Sequence, residues 1–167
     1  HPATGENCET RIGPHNMLQA YTHVAHNSNF GDYIVVSSFS GVAGHVTVED
    51  HAVIGAMSGV HQFVKIGAFA MIGGMSKIVQ DVCPFVIADG NPARVVGLNA
   101  VGIARNKIPA ESKSALKKAY RLIFRSGLKL NDAIQEMEQE LPSTPEIEHL
   151  LRFLRNCDRG LCRTRDR

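Results

Sequence analysis

From Ile12 onward a large apolar residue stands at every sixth position: Ile12, Leu18, Val24, Phe30, Val36, Val42, Val48, Ile54, Val60, Ile66, Ile72 and Ile78. Four residues after each comes a second regular position: Asn16, Thr22, Ser28, Ile34, Ser40, Val46, Ala52, Ser58, Val64, Ala70, Ser76 and Val82. These are small or β-branched, with Asn16 the one amide and Ile34 the one larger residue. An amphipathic helix repeats its apolar residues at three and four, and a half-buried strand at two. A strict six fits neither. It fits short strands joined by tight corners, three to a triangular coil, with coils stacked about 4.8 Å apart. The large residue and its small companion point inward, and β-branched side chains suit the flat faces. Gly13, Gly31, Gly55, Gly67 and Gly73, each directly after a large residue, stand near the corners. Twelve such hexads make four coils of a left-handed parallel β-helix.

The period stops at Pro84, which divides the chain into an N-terminal loop over 1–11, the β-helix over 12–84, connecting loops over 85–108 and a C-terminal α-helical bundle with a basic tail over 109–167. Asp89-Gly90-Asn91-Pro92 is a turn signal within the loops. Leu116, Ala119, Tyr120, Ile123 and Phe124 give residues 110–126 helical spacing, and Gly127 stops that helix. A second helix spans about 131–141. A third follows Ser143-Thr144-Pro145-Glu146, where Ser143 is expected as the cap, with Glu146 three residues on and an early proline. Its apolar stripe is Ile147, Leu150, Leu151 and Leu154. These stripes are expected to build core, not a cofactor site. They are also expected to cover the open end of the β-helix, whose last coil would otherwise expose an unpaired edge.

A formal net charge of +2 gives no indication of nucleic acid binding. Cys8, Cys83, Cys157 and Cys162 form no Cys-x-x-Cys pair, so a reducing compartment is expected. No apolar run approaches 18 residues, so no stable membrane insertion is expected. From Arg152 to Arg167 six arginines face Asp158 and Asp166, which reads either as a solvated terminus or as attraction for an acidic partner.

The hexad register sorts the histidines. Residues 18 apart stack, so Val24, Val42, Val60 and Ile78 share one face. His23 precedes that face, and His26, His45 and His61 are third, fourth and second in its hexads. None is at an inward position, and all four fall on neighbouring corners of successive coils. His15 and His51 are fourth in hexads of another face and are expected to be ordinary surface residues. Gly44 and Gln62 stack on His26. A histidine able to take a proton, beside a backbone N–H unobstructed by a side chain, is the machinery of acyl transfer. No serine or cysteine is poised as a nucleophile, so direct attack by a substrate hydroxyl is the simpler scheme.

The runs His23-Val24-Ala25-His26-Asn27, Val42-Ala43-Gly44-His45-Val46, Gly59-Val60-His61-Gln62-Phe63 and Gly90-Asn91-Pro92-Ala93-Arg94 with Gly97-Leu98-Asn99, followed by Gly160-Leu161-Cys162-Arg163 in the tail, resemble the acyl-[acyl-carrier-protein]–UDP-N-acetylglucosamine O-acyltransferases of lipid A synthesis. The resemblance covers nearly the whole chain. It implies a cytoplasmic homotrimer that needs no cofactor, the acyl donor being carried on the phosphopantetheine of acyl carrier protein. It implies that His26 is the general base on the glucosamine 3-hydroxyl and that the Gly44 N–H holds the oxyanion. His23, His45, His61 and Gln62 would bind the sugar nucleotide and acyl-pantetheine, Asn99 and Arg105 would reach the nucleotide, and Gly74 would set the length of a 3-hydroxyacyl chain. The sequence departs from the family pattern at Asn27, often Asp there, at Val101 and Asn106, which replace acidic and basic nucleotide contacts, and at the variable Pro92. The family also has further N-terminal coils, so a chain opening on His1-Pro2 reads as a processed or truncated piece. The alternatives are an inactive scaffold of the family, a β-helix enzyme of the γ-carbonic-anhydrase type with zinc on His23, His26, His45 or His61, and an N-acyltransferase or CoA-dependent acetyltransferase of the same superfamily.

Overall fold

The computed structural model describes residues 9–164. His1, Cys8, most of the expected N-terminal loop, and Arg165 and Arg167 of the basic tail lie outside the described residues. The chain forms two compact units. One runs through Asn99 and resumes at Cys157, and the other is Ala100–Asn156.

Every hexad of the first unit contributes one two-residue strand. In chain order these are β1 Arg11–Ile12, β2 Met17–Leu18, β3 His23–Val24, β4 Asn29–Phe30, β5 Val35–Val36, β6 Gly41–Val42, β7 Thr47–Val48, β8 Val53–Ile54, β9 Gly59–Val60, β10 Lys65–Ile66, β11 Met71–Ile72 and β12 Lys77–Ile78. They sort into three parallel sheets by residue number modulo 18: β1-β4-β7-β10, β2-β5-β8-β11 and β3-β6-β9-β12. Phe30, Val36, Val42, Val48, Ile54, Val60, Ile66, Ile72 and Ile78 are buried, as the six-residue period requires. The inward serines are satisfied: Ser28, Ser40 and Ser58 donate to Ala43, Gly55 and Gly73 carbonyls at 3.1, 2.8 and 3.0 Å. Asn16 is likewise absorbed, its amide spanning two coils by donating to Gly13 and Gly31 carbonyls and accepting from Ile34 N–H. The glycine at the second hexad position answers to close approach. A Cβ on Gly55 would stand 2.6 Å from the Gly74 nitrogen and 2.7 Å from the Ile72 oxygen in the next coil.

The corners are where the backbone is strained. The fourth hexad residue at each corner from His15 to Met75 has φ between +57° and +65°, and none of them is glycine. Bulky residues avoid this region. What accompanies the strain is stacking: His15, Tyr33, His51, Phe69 and Phe85 form one column of rings with centroids 4.7–5.3 Å apart. Tyr21 and Phe39 stack at 4.8 Å on a second corner and His45 and Phe63 at 4.8 Å on the third. The left-handed turn throws each side chain outward, and the coil spacing equals a ring-stacking distance. His15, exposed, and His51, half-exposed, lie at the surface as expected and are in addition members of a stacked column.

Residues 85–108, expected as connecting loops, hold an antiparallel hairpin, β13 Val86–Gly90 and β14 Ala93–Leu98, and then a short helix. Buried Val86, Ala88, Ala93 and Val95 supply the alternation that makes them strands. β13 adds to β11 in parallel, Val82 bridges Ile66, and returning Leu161 bridges Asp81. The edge expected to need helices is thus partly paired within this unit, at β10 and β11, while β12 ends its sheet.

The second unit comprises α1 Ala100–Arg105, α2 Ala110–Phe124, α3 Leu130–Glu140 and α4 Pro145–Arg155. Ala115, Leu116, Ala119, Ile123, Ala133, Ile134, Met137, Ile147, Leu150, Phe153 and Leu154 are buried. Phe153 takes the place expected of half-exposed Leu151 in the α4 stripe. The α4 cap is Thr144, not Ser143: Thr144 Oγ1 accepts from Ile147 N–H at 3.4 Å. Ser143 instead bonds the Glu148 carboxylate. Among the described residues no helix is long and apolar enough to cross a membrane.

Candidate active site

One sheet face differs from the others in its outward row. Stepping by 18 along β3, β6, β9 and β12 gives His23, Gly41, Gly59 and Lys77, and nothing lies within 4 Å of where a Cβ would stand on either glycine. The next outward row is Ala25, Ala43, His61 and Val79. Two glycines and two alanines between larger residues leave a trough of about 590 Å³, lined by those residues together with His26 and Gly44. That size lies within the roughly 300–1,000 Å³ usual for ligand sites.

His26 sits at the corner that closes the trough. Its Nδ1 is 2.9 Å from Asn27 Oδ1. An amide oxygen only accepts, so Nδ1 carries the proton and Nε2 keeps its lone pair. Asn27 has φ +59°, a conformation asparagine tolerates better than most residues, so the corner that strains its neighbours suits this one. A neutral amide thus supplies the contact to the His26 ring.

The imidazole lies over Gly44. A Cβ there would stand 2.8 Å from His26 Cε1, 2.9 Å from Nε2 and 3.2 Å from Nδ1, so only glycine leaves the ring in place. The Gly44 N–H has a further property. At equivalent third hexad positions the amide is taken by a side chain: Asp32 N–H by Asp50, Ser38 N–H by Gln19 and Ala68 N–H by Glu49. Among the described residues nothing accepts from Gly44 N–H, although the residue is buried. A basic nitrogen and an unpaired buried donor side by side can take a proton from a hydroxyl and hold an oxyanion.

His45 packs edge-on against His26, centroids 5.3 Å apart at 90°, and its N–H donates to the His26 carbonyl at 3.0 Å. The structure thus brings His23, His26, Gly44 and His61 into the trough with His45 beside them. Gln62 is exposed next to His61, whose Nδ1 is 3.3 Å from the Gln62 carbonyl oxygen. Gly74 stands at the turn leading into Lys77. Asn99 is buried, its amide donating to the Phe69 carbonyl at 2.8 Å. Arg105 ends α1 in the second unit. Among the described residues no three or more His, Cys, Asp or Glu side chains are grouped to hold a metal ion.

Gly41, Gly59 and Lys77 were not singled out from the sequence. The signal was available, because the residues directly before each large inward residue, read at the 18-residue coil period, include glycine only on this face.

Three comparisons agree on the relatives of this chain. The family described as UDP N-acetylglucosamine O-acyltransferase, domain 2, matches residues 81–162. The acyl-[acyl-carrier-protein]–UDP-N-acetylglucosamine O-acyltransferase of Fusobacterium nucleatum is 56% identical over 163 residues, 98% of this chain and 63% of that protein. The enzyme of the same name from Thermodesulfovibrio yellowstonii is 47% identical, over 92% of this chain and 60% of that protein. LpxA from Acinetobacter baumannii superposes with a TM-score of 0.93 at 42% identity, covering 98% of this chain and 64% of that one. The chain spans about three fifths of the length of the curated relatives it matches. Residues 81–162 thus match the UDP N-acetylglucosamine O-acyltransferase domain 2 family, and nearly the whole chain is similar to the enzymes that carry that name.

Proposed function

We propose that this chain carries the reaction centre of an acyl-[acyl-carrier-protein]–UDP-N-acetylglucosamine O-acyltransferase. The reaction moves an (R)-3-hydroxyacyl group from the carrier-protein thioester to the glucosamine 3-hydroxyl of UDP-N-acetylglucosamine, the first step of lipid A synthesis. The observation that carries this reading is the His26–Gly44 pair, a tautomer-fixed imidazole lying over an unpaired buried N–H.

In the proposed sequence His26 Nε2 takes the proton of the 3-hydroxyl as its oxygen attacks the thioester carbonyl carbon. The oxyanion of the tetrahedral intermediate accepts from Gly44 N–H. The C–S bond breaks, and the pantetheine thiolate leaves with the proton returned by His26. His23, His45, His61, Gln62, Asn99 and Arg105 are assigned to substrate binding and Gly74 to acyl-chain length. The donor arrives on the phosphopantetheine of acyl carrier protein, and no further cofactor enters. The same proposal includes a cytoplasmic homotrimer, for which Tyr21, Phe39, Met57 and Met75 offer an exposed apolar corner to a neighbouring subunit.

The test is a thioester assay with UDP-N-acetylglucosamine as acceptor. His26→Ala is expected to lower kcat by about 10²–10⁴-fold with the fold intact, the usual loss for a positioned general base. Turnover near that of the unsubstituted protein would overturn the mechanism.

A further inference from the structure

Arg159 reaches His61, one of the residues lining the trough, from outside the repeat. After Cys157 the chain returns to the last coil, where Asp81 N–H donates to the Gly160 carbonyl at 2.9 Å and Cys162 N–H donates to the Asp81 carbonyl at 2.8 Å. The Asp81 side chain fixes this return. It is fully buried, Oδ1 accepts from Lys65 N–H at 2.8 Å, and Oδ2 accepts from Arg159 N–H at 3.1 Å. One carboxylate thus ties the backbone of β10 to the backbone of the tail.

The neighbouring charges are arranged so that Arg159 stays free for something else. Asp158, the acid beside it in the chain, is engaged by Lys65 Nζ at 2.5 Å. Arg159 turns instead to His61, with Nη2 3.4 Å from Nδ1. Among the described residues no carboxylate pairs with Arg159 or with Lys77, which lines the same trough. His61 Nδ1 has two exclusive options: it donates to the Gln62 carbonyl, or it accepts from Arg159. In the second state its Nε2 bears the proton and becomes a further donor.

We infer that Arg159 is a phosphate-binding residue of the trough, delivered to its His61 end by the Asp81 clamp. The inference rests on the proposed function, because both substrates of that reaction carry phosphate: the nucleotide its diphosphate, the pantetheine arm its phosphodiester. A guanidinium holds its charge at all working pH values and presents paired donors that match two phosphate oxygens. Asp81 is a positioning residue in this scheme and does not touch the ligand.

Titration calorimetry on the protein with two pairs of probes tests the assignment: 4′-phosphopantetheine against pantetheine, and UDP-N-acetylglucosamine against N-acetylglucosamine. Arg159→Ala is expected to weaken one phosphorylated probe by about 10- to 100-fold, the cost of a charge-assisted hydrogen bond, with its unphosphorylated partner unchanged. Which probe weakens identifies the phosphate. Arg159→Lys should recover part of the loss. Asp81→Asn, which turns an NH₂ toward one of two backbone donors, should reproduce it with Arg159 still present. Undiminished binding of both phosphorylated probes to Arg159→Ala would overturn the inference alone. Failure of both to bind the unsubstituted protein would overturn the functional reading and the inference with it.

Discussion

Nδ1 of His26 and Oδ1 of Asn27 are 2.9 Å apart, between adjacent residues of which the second occupies a left-handed corner. The corner turn itself brings the amide under the ring, so tautomer and backbone conformation are set by the same residue. Asn27→Ala should lower kcat by about tenfold while leaving UDP-N-acetylglucosamine binding within twofold, because orientation of a general base is lost and not the base. Asn27→Asp should retain activity, its carboxylate accepting the same proton. Steady-state kinetics with both variants separates the two, and an Asn27→Ala enzyme with full kcat would remove Asn27 from the mechanism.

Gly44→Ala places a methyl carbon 2.8–3.2 Å from three ring atoms of His26. The imidazole is the side that yields, since the coil backbone is held above and below. The expected outcome is a kcat loss as large as that of His26→Ala, with unchanged far-ultraviolet circular dichroism. The two losses should not add in the double variant, because either one removes the same base.

Tyr33 joins His15 and His51 in the first corner column, at 4.8 and 5.0 Å. Tyr33→Ala removes two ring pairs at once. At about 0.5–1.5 kcal/mol per pair the expected loss in unfolding free energy is about 1–3 kcal/mol. Denaturant unfolding measures it. Acyl transfer should be unaffected, as the column stands on a different corner from His26.

Burial holds the Asp81 carboxyl above its ordinary value of 3.8, against the two backbone N–H bonds and Lys65 that pull it down. A carboxyl raised in the fold binds its proton more tightly there than in the unfolded chain. Its contribution to stability is therefore fully present below the ordinary value and lost as pH rises through the raised one. The stability advantage of the unsubstituted protein over Asp81→Asn should widen on acidification from pH 7 toward 4. Paired denaturation curves across that range check the sign, and a narrowing gap would place the shift in the other direction.

Burial, as the largest cause, pushes the Cys157 thiol up to about 12, and it raises Cys83 and Cys162 as well. Only the thiolate is alkylated. Iodoacetamide at pH 8 should therefore label native Cys157 roughly 10³-fold more slowly than the unfolded chain, as a rise of about three units from 9.0 implies. Mass spectrometry after timed quenching gives the rate. Rapid native labelling would point to opening of the tail.

The prism was legible because its signal is a strict period that no other regular structure shares, and the inward residues follow it from Phe30 to Ile78. His23, His26, Gly44 and His61 were legible for the same reason, since register alone sets their face. The ring columns were not. Nothing in His15 or His51 announces a left-handed backbone; stacking emerges only when the corner geometry turns both outward. The β13–β14 hairpin was obscured by Asp89-Gly90-Asn91-Pro92, whose turn chemistry reads as loop until the alternating Val86, Ala88, Ala93 and Val95 around it are counted. Arg159 was beyond reach, because its place depends on Asp81, 78 residues earlier in sequence.

The three-faced coil also constrains how such a chain can change length. Each pairing among β1 to β12 joins residues 18 apart, as His23 with Gly41 and Lys77 with Gly59. Removing 18 residues between Gly44 and Lys77 would shorten the trough by one rung and leave every remaining side chain on its own face. Removing six before His61 would keep the hydrophobic period intact but carry His61 and Lys77 round to a neighbouring face, away from His26. The fold would forgive the second deletion and the chemistry would not, so inherited insertions and deletions in this part of the chain should come in whole turns.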